Sequence, residues 1–168
     1  MSETLKEKIN SILVSGKYSE LFYNQFLYLV KSGKMDFDFI AREIEYLEGK
    51  RADTSTKKEA MFRGEVLSGL WHKHIWNAHN MPRNIINLLN KEFPTISKNS
   101  KNDEEFLEKI LALIPKSVAS KKKTGDWIVY QKNESGNLYL TIAAHNETDI
   151  EIYNRIKKYL HDNDNIKN

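Results

Sequence analysis

The chain has 168 residues, 40% of them hydrophobic and 29% charged, with a formal net charge of +3; this is the size of one ordinary domain with apolar side chains enough for its own core. It contains no cysteine, which excludes disulfide staples, thiolate nucleophiles and Cys-ligated zinc or iron-sulfur sites. The charge permits a polyanionic partner without requiring one, and a polar N-terminus with no apolar run of about eighteen residues reads as a soluble, cytoplasmic protein without signal peptide or membrane span.

Leu5, Ile9, Ile12 and Leu13 recur at helical spacing; after Gly16, residues Tyr18, Leu21, Phe22, Phe26, Leu29 and Val30 resume the period up to Ser32-Gly33. Asp36 or Asp38 suits the cap of a next helix, with Phe37, Ile40, Ile44 and Leu47 as its buried stripe and Gly49 as its terminator. Residues 1–49 thus read as a helical hairpin. Residues 50–58 lack periodicity and read as an exposed loop. Thr56 and Glu59 then form a capping-box pattern before Ala60-Met61-Phe62, a helix that Gly64 and Gly69 confine to a turn or two, since each costs about 1 kcal/mol relative to alanine.

Residues 69–79 gather three of the five histidines and two of the three tryptophans. Read as a strand, period two puts His72, His74 and Trp76 on one face and Trp71, Lys73 and Ile75 on the other. A helix would instead align His72 with Trp76 and His79. The strand is the reading adopted.

Pro82 suits the first turn of a helix with Ile85, Ile86, Leu88 and Leu89 as its apolar face, closed by Pro94. Asn102 with Glu105 starts another, in which Phe106, Leu107, Ile110, Leu111 and Ile114 are buried until Pro115. From 116 the character changes: a loop holding Lys116, Lys121, Lys122 and Lys123, then period-two segments around Trp127 to Tyr130 and Leu138 to His145, separated by the Asn133 to Asn137 turn. This predicts an antiparallel hairpin with Leu138, Leu140 and Ile142 inward. Thr148 with Glu151 caps a closing helix carrying Ile152, Tyr153, Ile156 and Leu160. A lone hairpin is marginal in water, and the Trp71 to Trp76 segment is the candidate third strand. The expected fold is a single α+β domain over 1–168: a helical N-terminal half (1–49), a mixed segment (50–115), and a basic loop, hairpin and closing helix (116–168), with the helices packed on a small antiparallel sheet.

Two function classes compete. As a small binding or interaction module, the chain would use its aromatic and histidine-rich surface to contact a nucleic acid or a protein partner. As a metal-independent ribonuclease it would use His72, His74 and His145 as acid and base, two strand residues apart or across the hairpin, with Lys73, Arg83 or Lys121, Lys122 and Lys123 as cations on the phosphate. Trp76, Tyr139 and Thr141 complete the expected substrate surface. No metal or cofactor is expected, because a catalytic zinc usually has three protein ligands and no spacing here supplies them. The Lys121 to Gly125 run lacks the phosphate-loop pattern and precedes a strand rather than a helix. A compact α+β layout with such a sheet is similar in layout, though in no motif, to small toxin-type ribonucleases of the barnase or RelE kind.

Overall fold

The computed structural model describes residues 4–76, 81–92, 103–119 and 125–164. In chain order they form α1 (Leu5–Ile12), β1 (Lys17–Tyr18), α2 (Glu20–Lys31), α3 (Phe37–Leu47), β2 (Ala60–Met61), β3 (Leu70–His74), α4 (Met81–Glu92), α5 (Asp103–Ala119), β4 (Trp127–Asn133), β5 (Gly136–Ala143) and α6 (Asp149–Asp164). The strands make one sheet in the order β1-β5-β4-β3-β2. The fold is α+β, as expected, with β3 as the strand beside the hairpin.

The sheet is mixed rather than purely antiparallel, because Lys17 and Tyr18 leave the expected helical period and pair in parallel with Leu138 and Tyr139. Gly16 allows this approach: a Cβ there would lie 2.9 Å from the Tyr139 ring. Ser19 then caps α2 and also donates its hydroxyl to the Leu140 carbonyl at 2.7 Å. Gln25 completes the same edge, donating to the Ile142 carbonyl and accepting from the Ile142 N–H at 2.9 Å. The outer edge of β5 is therefore covered by the chain itself, which removes a template for edge pairing.

Both faces of the sheet are buried. Ile9, Phe22, Phe26, Ile40 and Ile44 from α1 to α3 pack with Ile75, Ile128, Tyr130, Tyr139 and Ile142. Leu70, Val129, Leu140 and Ala143 pack with Leu67 and with Ile152 and Ile156 of α6. Each large side chain so buried contributes about 1.5–3 kcal/mol. The prediction that Leu138, Leu140 and Ile142 share one inward face is corrected by a bulge: Val129 opposes Thr141 while Tyr130 opposes Tyr139, so Leu140 is the extra residue. Beyond it the alternation is inverted, sending Ile142 to the α1–α3 side and Ala143 to the α6 side.

Three local expectations also change. Thr56 caps no helix; its hydroxyl donates to the His74 carbonyl at 2.7 Å, and Ala60–Met61 is a strand paired with Trp71 and His72. The segment 54–57 is accordingly not a free exposed loop, since Thr56 is buried. Pro115 does not end its helix, which continues to Ala119 around the missing N–H. Among the caps that do form as read, Asp36 accepts from the Asp38 N–H, Gly49 takes the left-handed conformation at φ 74, and Thr148 and Glu151 exchange bonds at the start of α6.

Candidate functional site

Alternation along β3 places His72 and His74 on the α6 side of the sheet and Lys73 on the opposite side. Register then assembles the rest of the cluster. His74 lies directly opposite Trp127, the first residue of β4, His145 follows the end of β5, and Phe62 follows β2. The ring centroids of His72 and His74 are 5.6 Å apart, and those of His74 and His145 are 6.0 Å apart. Trp127 stands among all three, at 5.1 Å from His72, 6.1 Å from His74 and 4.9 Å from His145. Phe62 closes the group at 4.7 Å from His72. The three imidazoles expected to act together are therefore gathered, but around an indole rather than around an open pocket of cations.

Burial grades across the cluster. His74 is only 6% exposed, His72, Phe62 and Trp127 are half-buried, and His145 is exposed. Among the described residues, His72 Nδ1, His74 Nδ1 and Trp127 Nε1 are buried without a hydrogen-bond partner. Burial, then the Lys57 charge, then the neighbouring imidazoles push His74 down to about 4. Burial and His145 also lower His72, with Asp149 opposing. Both imidazoles are neutral at neutral pH.

Several expected members of the site lie elsewhere. Lys73 cannot serve as a phosphate-facing cation: its ammonium is fully buried 2.8 Å from the equally buried Glu43 carboxylate. Tyr139 is fully buried and donates its hydroxyl to Glu48. That carboxylate also accepts the N–H groups of Val14, Ser15 and Gly16, so Tyr139 belongs to an internal clamp. Thr141 is fully buried and donates to Gln25 at 2.8 Å. Trp76 packs edge-on against Phe39 at 4.5 Å, an α3 side chain remote in sequence. Arg83 lies on α4, but its side chain, like Lys121, Lys122 and Lys123, lies outside the described residues.

Two neighbours of the cluster had no signal in the sequence. Phe62 arrives through the short strand β2, and Lys57 through the buried attachment of segment 54–57; neither depends on local periodicity. Trp127 was accessible to register reasoning, as it is the β4 residue facing His74. Among the described residues, no three histidine, aspartate or glutamate side chains are placed to hold a metal ion, and no helix is long and apolar enough to cross a membrane. No protein-family model, curated protein or solved structure matches the chain.

Proposed function

We propose that the chain is a binding module that takes single-stranded nucleic acid on the half-buried face formed by Phe62, His72, Trp127 and His145. The observation that carries this reading is the convergence of rings from two strands and from the segments that follow β2 and β5 around buried polar atoms that have no partner among the described residues. An unsatisfied buried group costs about 1–3 kcal/mol, so a ligand that pairs these atoms recovers part of that cost. Ring faces accept bases of any sequence, at about 1–3 kcal/mol per stacked base, and ring edges offer hydrogen bonds to base edges. Exposed Lys57, Lys58 and Arg63 flank Phe62 in the chain and suit a phosphate backbone.

The second reading, metal-independent cleavage of RNA, draws on the same gathering of three imidazoles. It requires one protonated imidazole as general acid, which the lowered His72 and His74 oppose at neutral pH. Fluorescence anisotropy with labelled single-stranded oligonucleotides tests the binding reading. Phe62→Ala and His145→Ala are each expected to weaken the wild-type affinity by about 5- to 100-fold, the range of one lost stack. Absence of wild-type binding up to roughly 100 µM, the weak limit for non-specific association, would remove the reading in favour of a protein partner. Incubation with total RNA in the presence of a chelator separates the second: on the binding reading the RNA stays intact.

A further inference from the structure

On the other face of the sheet from the ring cluster, α3 carries Asp38, Ala41, Arg42 and Glu45 at i, i+3, i+4 and i+7, a spacing that aligns them along one side of the helix. Ala41 is the small residue of that row. Beside it the end of α1 at Ile12 and the ring of Phe37 leave a cavity of about 290 Å³ with an apolar floor and a charged rim. Ile12 and Ala41 are buried and Phe37 is half-buried. Arg51 supplies the rest of the rim. The chain reverses at Gly49, the N–H groups of Lys50 and Arg51 donate to the Glu45 carbonyl at 2.8 and 3.3 Å, and the Arg51 guanidinium returns to Glu45 at 3.6 Å and to Asp53 at 3.5 Å. Both contacts are long and engage one nitrogen each, so donors of that fork stay open.

Asp38 and Arg42 stand in the order and spacing of a helical ion pair, yet they do not close one. Among the described residues, neither the Asp38 carboxylate nor the Arg42 guanidinium has an ion-pair or hydrogen-bond partner. A pair so exposed is weak when it does form, and offers a ligand little competition.

We infer that this groove binds a free α-amino acid with an apolar side chain: its carboxylate is held by Arg42 and Arg51, its ammonium by Asp38 and Glu45, and its side chain by the floor of Ile12, Phe37 and Ala41. The charge pattern selects the class. A simple anion would meet two carboxylates, a simple cation two guanidinium groups, and a neutral apolar molecule would desolvate all four without pairing them. A zwitterion pairs each with its opposite. A residue at a chain terminus brings only one of the two charges. Size points the same way, since pockets for drug-sized ligands begin at about 300 Å³ and this one is no larger. The inference is independent of nucleic-acid binding, because α1 to α3 cover the face of the sheet opposite the rings.

Nitrogen-proton NMR of the full chain, titrated with L-leucine, glycine, 4-methylpentanoate and 3-methylbutylamine, separates the side chain and the two charges. L-Leucine should shift the backbone N–H groups of Ala41 and Arg42 and the side-chain N–H groups of Arg42 and Arg51. Each single-charge analogue should bind about 10-fold more weakly or worse, the loss of one charge-assisted contact, and glycine should lose about as much for want of apolar burial. Arg42→Met and Asp38→Asn, both at exposed positions, should each weaken L-leucine about 10-fold while thermal unfolding stays as in wild type. Absence of any L-leucine shift up to about 10 mM, weaker than so small a ligand ordinarily achieves in a formed site, would overturn the site, as would shifts centred away from α3 and Arg51 or unchanged affinity in both variants. Glycine or either analogue binding as tightly as L-leucine would overturn the ligand class.

Discussion

Replacing Lys73 with methionine keeps the aliphatic stem and deletes the ammonium, and the structure sets the expected loss. Lys73 and Glu43 are both fully buried at 2.8 Å, so the variant leaves a carboxylate in the interior facing Thr54 and Ser55 alone. Removing one member of a buried pair costs about 3–5 kcal/mol. The low end, about 3 kcal/mol, is expected here, because three hydrogen bonds from Thr54 and Ser55 still reach the Glu43 carboxylate. The double variant Lys73→Met/Glu43→Leu removes both charges and should recover most of the loss, since an apolar replacement of a buried pair is often close to neutral. Urea denaturation of wild type, both single variants and the double variant completes the cycle, provided the slope with denaturant is unchanged. A cost for Lys73→Met below about 1 kcal/mol, the range of solvent-exposed pairs, would refute the assignment of a desolvated, mutually dependent pair.

Stability should fall between pH 7 and pH 4: His74 takes its proton at about 4 in the folded chain against an ordinary value of about 6.5 when unfolded. The unfolded state binds more protons across that window, so folding loses on the order of 3 kcal/mol as pH drops through it, with His72 acting in the same direction; denaturation as a function of pH should be visibly flatter for His74→Gln. Gly136→Ala should destabilise by about 2 kcal/mol or more, because Gly136 has φ +126 and an added Cβ would lie 2.5 Å from the Ser15 carbonyl oxygen; thermal unfolding reads the loss. Glu48→Gln should cost about 1.5–3 kcal/mol, since the carboxylate accepts from three backbone N–H groups and from Tyr139; its chemical unfolding midpoint is the check.

Elements whose burial follows one period were legible in the sequence. The α3 stripe of Ile40 and Ile44 between Asp36 and Gly49, the Thr148 cap and the two hairpin strands all follow from patterns within about a dozen residues. The shared face of His72 and His74 was legible for the same reason, as it needs only the strand period. What local pattern could not supply was set by contacts remote in sequence. Lys17 and Tyr18 are strand because β5 offers them a parallel edge, and the bulge at Leu140 inverts an alternation that reads as unbroken in the chain. Lys73 looked like a surface cation between two histidines, yet its burial is settled by Glu43, thirty residues earlier, and by the hydroxyls of Thr54 and Thr56. Tyr139 and Thr141, read as a substrate surface, are consumed by hydrogen bonds to Glu48 and Gln25, both remote in sequence.

Nitrogen-proton NMR of the wild-type protein titrated with a short single-stranded oligonucleotide is the direct test of the proposed recognition of single-stranded nucleic acid by the ring cluster. On the proposed reading the Trp127 indole N–H and the ring nitrogens of His72 and His145 shift first and together with the backbone of Phe62, while the Lys73 ammonium and the backbone of α1 to α3 stay in place. Shifts centred elsewhere, with the Trp127 indole N–H unmoved at saturation, would contradict it.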